Sequence, residues 1–144
     1  GKRGNFSEKI QLGIKQAEDL TQNNTGTTVI VAADFGGRWD LVNATKKIFN
    51  KIQSKTLSIE QINEEMLNSY TSLSGFPDPD LCIRTGGERR LSNFLLWQFA
   101  YTEFYFTNCF WPDFNKSELQ LALDDYAHRQ RRFGGQNKTF RADN

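Results

Sequence analysis

Histidine and cysteine are nearly missing from this chain. Its 144 residues include one His, His128, and two Cys, Cys82 and Cys109. Two scattered thiols and one imidazole are too few for a Cys/His zinc site. Two thiols also cannot make a disulfide framework, and they fit a reducing compartment. An excess of charge of either sign is missing too: 18 Lys+Arg stand against 17 Asp+Glu, a net charge of +1. That balance argues against a general nucleic-acid binder, whose affinity comes from counterions released by a basic surface. No apolar run approaches the roughly 18 residues of a membrane span. Thr28 to Ala33 and Phe94 to Trp97 are far too short, and no signal-peptide core follows Gly1. Gly1 stands where a Met would begin a chain, which reads as a fragment, a processed chain or a cloning remnant.

With 24% charged and 38% hydrophobic residues, what remains is a soluble globular domain with enough length for a core. Asn5 and Glu8 have the spacing of a capping box, and Ile10, Ile14 and Ala17 then recur at helical intervals. Thr28 to Ala33 is β-branched and apolar on both faces, the pattern of a buried parallel strand. Leu41, Ala44, Ile48 and Ile52 mark a helix, and Ser58 to Gln61 starts another that carries Ile62 and Met66. Leu81 to Arg84 and Phe104 to Thr107 read as short strands, while Asn93 to Phe99 fits strand or helix. Asn115 and Glu118 predict a capped helix with Leu119, Leu123 and Tyr126 on one face, stopping at Gly134-Gly135. Residues 136–144 form a polar tail. Alternating strands and helices predict an α/β domain with a mostly parallel sheet. Ligands in such sheets sit beyond the carboxyl ends of strands, here residues 34–38 and 84–92.

The run RTGGERRLSN at 84–93 is the strongest chemical signal. Its guanidinium groups match phosphate oxygens bidentately, Ser92 adds a hydroxyl, and Gly86-Gly87 allows a tight turn and close backbone approach to a ligand. The same residues also fit an exposed hairpin with solvated charges. The turn DFGGRWD at 34–40 offers Arg38 and backbone N–H groups to an anion, or is an ordinary turn whose Asp40 caps a helix. It is neither a Walker loop nor a dinucleotide fingerprint. Glu103, in the most aromatic stretch of the chain, needs a partner, and by sequence an Arg fits better than a hard cation such as Mg²⁺. Arg129 to Gly135 reads as a basic helix end or as an anion site. His128 reads as a surface or packing residue, and both cysteines as inert packing thiols. The ten aromatic side chains from Phe94 to Phe114 exceed what a small half-sheet buries, so they read as core or subunit interface.

On AADFGGRWD at 32–40, DLCIRTGGERRLSNFLLWQFAYTEFYF at 80–106, FWPDF at 110–114 and RRFGG at 131–135, the chain resembles the cis-prenyltransferase (isoprenyl transferase) family, in that family's order and over essentially its whole length. The resemblance implies an enzyme that condenses isopentenyl diphosphate units onto an allylic diphosphate such as farnesyl diphosphate. It uses Mg²⁺ and gives a Z-polyprenyl diphosphate for a cell-wall lipid carrier. By match, Arg84, Arg90 and Ser92 would hold the isopentenyl diphosphate, Arg38 and Asp34 would lie near substrate, and Glu103 would help to bind Mg²⁺. The segment Arg132-Phe133-Gly134, with Gly134 close to phosphate, would reach the isopentenyl site across a homodimer. A cytoplasmic enzyme, peripheral at the inner membrane face, is implied.

Two departures stand out. Asp34-Phe35 replaces the family's usual Asn-Tyr, which adds an acid near diphosphates. The family's His-x-x-Asp-Gly-Asn-Gly-Arg-Trp motif, with its principal catalytic Asp, is not in these residues. Residues 1–135 are therefore expected to be the C-terminal portion of one catalytic domain, inactive alone. The rival within the family is a non-catalytic subunit of a heteromeric enzyme, against which the intact 84–93 run argues. A nucleotide-binding α/β domain is the weakest alternative.

Overall fold

A computed structural model describes residues 1–129. The predicted Gly134-Gly135 stop, the Arg132-Phe133-Gly134 segment and the polar tail lie outside the described residues. The chain forms two compact units, one of Gly1–Pro79 with Arg90–Tyr101, the other of Asp80–Arg89 with the chain from Thr102 onward.

In the first unit, α1 spans Glu8–Thr21, α2 Gly37–Gln53 and α3 Glu64–Tyr70. The predicted stripe of α2 is its buried face: Ala44 is 0% and Ile48 4% exposed, and α2 packs against α3. The helix ends where Lys55 turns left-handed at φ 57° and Ser54 N–H donates to Asn50 O. Asp40 is no cap. It lies inside α2, 2% exposed, and accepts from the N–H (2.9 Å) and hydroxyl (2.5 Å) of Ser72. A buried carboxylate has to be bonded, and the donor is remote in sequence.

Three predicted boundaries move. The N-cap position of α1 is held by Ser7, not Asn5, and the Asn5 amide donates to Asp34 Oδ2 at 2.6 Å instead. The box at Ser58 and Gln61 closes only a 3-10 turn, Ile59–Gln61. Ile62 then extends (φ −73°, ψ 122°), and Asn63 caps α3 by accepting from Met66 N–H. Asn93 to Phe99 is neither strand nor helix but a series of turns that buries Leu95 and Phe99. Ser92 and Asn93, left-handed at φ 49° and 59°, turn the chain out of any regular ladder.

The largest departure is Thr28 to Ala33. The run is not a buried strand: Val29 and Val31 are each 81% exposed, and no strand pairs with it among the described residues. Apolar β-branched sequence favours a strand only where a neighbour supplies the ladder.

In the second unit, β1 (Leu81–Arg84) and β2 (Glu103–Phe106) pair in parallel, with Leu81 opposite Glu103 and Arg84 opposite Phe106. The α/β class and parallel pairing follow the prediction, and β2 starts one residue earlier than expected. Helix α4 (Lys116–His128) packs on β2. Asn115 caps it as predicted, accepting from Ser117 N–H at 2.8 Å. Its buried residue is Ala122, while Leu119 and Leu123 are 40% and 44% exposed. The helix also stops six positions before Gly134, because Arg129 is already extended (φ −76°, ψ 140°). Its guanidinium binds Glu103 Oε2 and Phe104 O at 2.8 Å each, and Asp125. Those bonds pull residue 129 off the helical path.

Candidate functional site

In the first unit the turn at 34–38 docks onto the turn at 91–96. Asn93 makes the junction: its carbonyl accepts from Gly37 N–H at 2.8 Å and its Oδ1 accepts from Arg38 N–H at 2.9 Å. Two of the donors left over at the start of α2 are thereby satisfied. The contact is so close that a Cβ on Gly37 would lie 2.1 Å from Phe94 O. Beneath it, Phe35 packs edge-on against Trp39 and Phe94, and Phe94 against Phe99. This base holds exposed Arg38 beside the loop that carries exposed Arg90 and Ser92. Cationic forks and a hydroxyl on two locked turns suit an anion with several oxygens.

Asp34 sits at φ 46°, with its carboxylate on Asn5 and its carbonyl accepting from Lys2 N–H at 3.0 Å. Lys2 also lies over the Trp39 ring, 5.8 Å from its centre. Asn93 was not singled out from sequence. An asparagine, tolerant of the left-handed region, next to the RTGGERRLS run was the available signal. Its partner Arg38 lies too far away in the chain to be guessed.

Arg84 belongs to the second unit, at the end of β1, where its carbonyl accepts from Thr107 N–H at 3.0 Å. Gly86 and Gly87 follow at φ 81° and 76°, conformations that only glycine takes without strain. They do turn tightly, but their N–H groups donate to Cys109 O and Thr107 O and are not offered to a ligand. Glu103 pairs with Arg129, the ion pair that its aromatic surroundings suggested. The hydrogen bond to Glu103 is the main reason that the Arg129 guanidinium holds its proton more tightly than usual. Among the described residues no three His, Cys, Asp or Glu side chains converge on a metal position. Glu103 is a single carboxylate, and Mg²⁺ held that way takes its remaining oxygens from water and phosphate. His128 Nδ1 lies 2.6 Å from Asp124 O, a contact within its own helix. Both thiols are free, and burial pushes each above its ordinary range. No helix of the described residues is long and apolar enough to cross a membrane.

A family model described as putative undecaprenyl diphosphate synthase matches residues 1–134. The ditrans,polycis-undecaprenyl-diphosphate synthase ((2E,6E)-farnesyl-diphosphate specific) of Photorhabdus laumondii is 50% identical over 94% of this chain and 53% of its own length. Among solved structures, lavandulyl diphosphate synthase from Lavandula x intermedia, in complex with dimethylallyl diphosphate, superimposes with a TM-score of 0.90. It is 42% identical over 94% of this chain and 58% of its own. A probable undecaprenyl diphosphate synthase from Campylobacter jejuni gives a TM-score of 0.79 at 32% identity, covering 94% of this chain and 61% of that one. The chain thus spans about half the length of the curated synthase it matches. With the motifs, the parallel α/β architecture and these matches in agreement, the chain belongs to the undecaprenyl diphosphate synthase family of cis-prenyltransferases.

Proposed function

We propose that this chain is part of a prenyl-transferring enzyme that condenses isopentenyl diphosphate with an allylic diphosphate, as farnesyl diphosphate is used by its Photorhabdus relative. The observation that carries the reading is the junction at Asn93, which locks Arg38 beside the loop bearing Arg90 and Ser92. In this reading Arg90 and Ser92, with Arg84 from β1, bind and orient the diphosphate of isopentenyl diphosphate. Each guanidinium offsets phosphate charge that would otherwise stay in water. Asp34, tied to Asn5, acts on the turn's shape more than on phosphate.

Mg²⁺, as the family implies, would take Glu103 as a carboxylate ligand, with diphosphate oxygens and water completing its shell. Because the family's His-x-x-Asp-Gly-Asn-Gly-Arg-Trp motif is not in this sequence, we propose that these 144 residues alone do not turn over. The exposed aromatic side chains Tyr101, Phe110 and Trp111 support a homodimer. The cation and hydroxyl set at 84–92 supports an active subunit over a non-catalytic one.

The test is steady-state kinetics of the full-length enzyme carrying Arg84→Ala or Arg90→Ala. A hydrogen bond to a charged group contributes about 1.5–3 kcal/mol, so KM for isopentenyl diphosphate should rise about 10- to 100-fold. KM for farnesyl diphosphate should move much less. Equal effects on both substrates would refute the assignment. Butanol-extractable radiolabelled product from the 144-residue chain alone would refute its inactivity, and monomeric sedimentation of the active enzyme would refute the dimer.

A further inference from the structure

Thr107 is the first residue beyond β2, and the chemistry proposed above leaves it unused. Its backbone meets the 84–88 turn twice. The Thr107 N–H donates to Arg84 O, and the Thr107 carbonyl accepts from Gly87 N–H, each at 3.0 Å. Two residues on, Cys109 O accepts from Gly86 N–H at 2.8 Å. The turns touch closely, since a Cβ on Gly87 would lie 3.2 Å from Asn108 Oδ1. These bonds hold Gly86 and Gly87 left-handed, directly after Arg84. All of these residues belong to the second unit. The Thr107 side chain sets the spacing of the two receiving carbonyls: its Oγ1 accepts from Cys109 N–H at 3.1 Å, a hydroxyl closed onto backbone two residues ahead. The hydroxyl proton turns the other way, along a long contact of 3.5 Å to Glu118 Oε2.

We propose that Thr107 is a positioning residue for prenyl transfer. Its hydroxyl shapes the 107–109 turn, that turn seats the Gly86-Gly87 bend, and the bend fixes the backbone from which Arg84 reaches isopentenyl diphosphate. The inference rests on the reading of Arg84 as a ligand of that diphosphate. A guanidinium fork meets two phosphate oxygens at once only from a fixed stem, so a shift of its backbone weakens the contact without removing any charge. Thr107 acts through Arg84 and not on the substrate. Valine has nearly the shape of threonine but no acceptor, and it would leave the part-buried Cys109 N–H without its partner. Serine keeps the acceptor.

The experiment compares Thr107→Val and Thr107→Ser in the full-length enzyme. In Thr107→Val, KM for isopentenyl diphosphate should rise about 3- to 10-fold, the factor that one neutral hydrogen bond contributes. KM for farnesyl diphosphate should stay within about twofold. Hydrogen exchange at the Gly86 and Gly87 amides should quicken by about threefold or more. Thr107→Ser should restore both readouts. On an Arg84→Ala background, Thr107→Val should add less than about twofold, because its effect runs through Arg84. An equal rise for both substrates, unchanged exchange, a loss that serine does not restore, or full multiplication with Arg84→Ala overturns the proposal. A selective rise with Arg84→Ala but none with Thr107→Val overturns this proposal alone, whereas no selective rise with Arg84→Ala overturns the Arg84 reading as well. If Thr107→Val does not fold, exchange in the unaltered enzyme decides: Gly86 and Gly87 amides slowed by about tenfold or more against an unstructured chain uphold the latch, and less overturns it.

Discussion

Replacing Gly37 by Ala tests the junction on which the site reading stands. The new methyl carbon would lie 2.1 Å from Phe94 O, 2.6 Å from Leu96 Cγ and 2.9 Å from Leu96 N. Carbon contacts are comfortable near 3.5–4.0 Å, so the turn at 34–38 must retreat by roughly 1 Å or more. Two of the three obstacles are backbone atoms, which cannot swing aside as a side chain does. Retreat strains or breaks Gly37 N–H to Asn93 O and Arg38 N–H to Asn93 Oδ1. Each bond contributes about 1 kcal/mol, and overpacking adds about 1–3 kcal/mol. Alanine returns at most about 1 kcal/mol of helix propensity, so the net loss is about 2–4 kcal/mol. Urea unfolding followed by tryptophan fluorescence measures it. Gly13→Ala is the control: it sits in exposed α1, a Cβ there meets nothing within 4 Å, and stability should rise by about 1 kcal/mol. A Gly37→Ala chain as stable as the parent, or a Gly13→Ala chain equally weakened, would refute the reasoning. In the full-length enzyme the same retreat moves Arg38, so kcat/KM should fall with Gly37→Ala and hold with Gly13→Ala.

Asp40→Ala removes the acceptor of two Ser72 bonds in a buried setting and should cost about 3 kcal/mol, with Asp40→Asn costing less, read by thermal unfolding. Arg129→Ala frees Glu103, Asp125 and Phe104 O. Because that cluster is about one-third exposed, the cost should be near 2 kcal/mol, with faster hydrogen exchange in the last turn of α4 and little rescue by Lys. Cys82 and Cys109, both raised by burial, should be alkylated more slowly at pH 8 than a free thiol, Cys82 gaining full reactivity only on denaturation. Immediate reaction of Cys82 in the native chain would contradict its placement in β1.

What the sequence determined by itself was local or carried by a long signature. The α2 stripe of Ala44 and Ile48 and the Asn115 cap depend on neighbours within a few positions, where periodicity and capping chemistry decide the outcome. The run RTGGERRLSN named the family because ten residues in order are specific even without a fold. Tertiary structure decided the pairings that close long loops. Asn93 seats the Arg38 turn, Asp40 takes Ser72, and Arg129 reaches back to β2 and ends α4 ahead of the glycines that looked like its stop. Thr28–Ala33 shows the same division from the other side: its residues ask for a strand, but a strand exists only where another segment supplies the ladder, and local sequence does not encode that neighbour. The same holds at Gly86-Gly87. Composition revealed the tight turn, while only the fold showed that Cys109 and Thr107 take both N–H groups, because the carbonyls that claim them arrive from beyond β2.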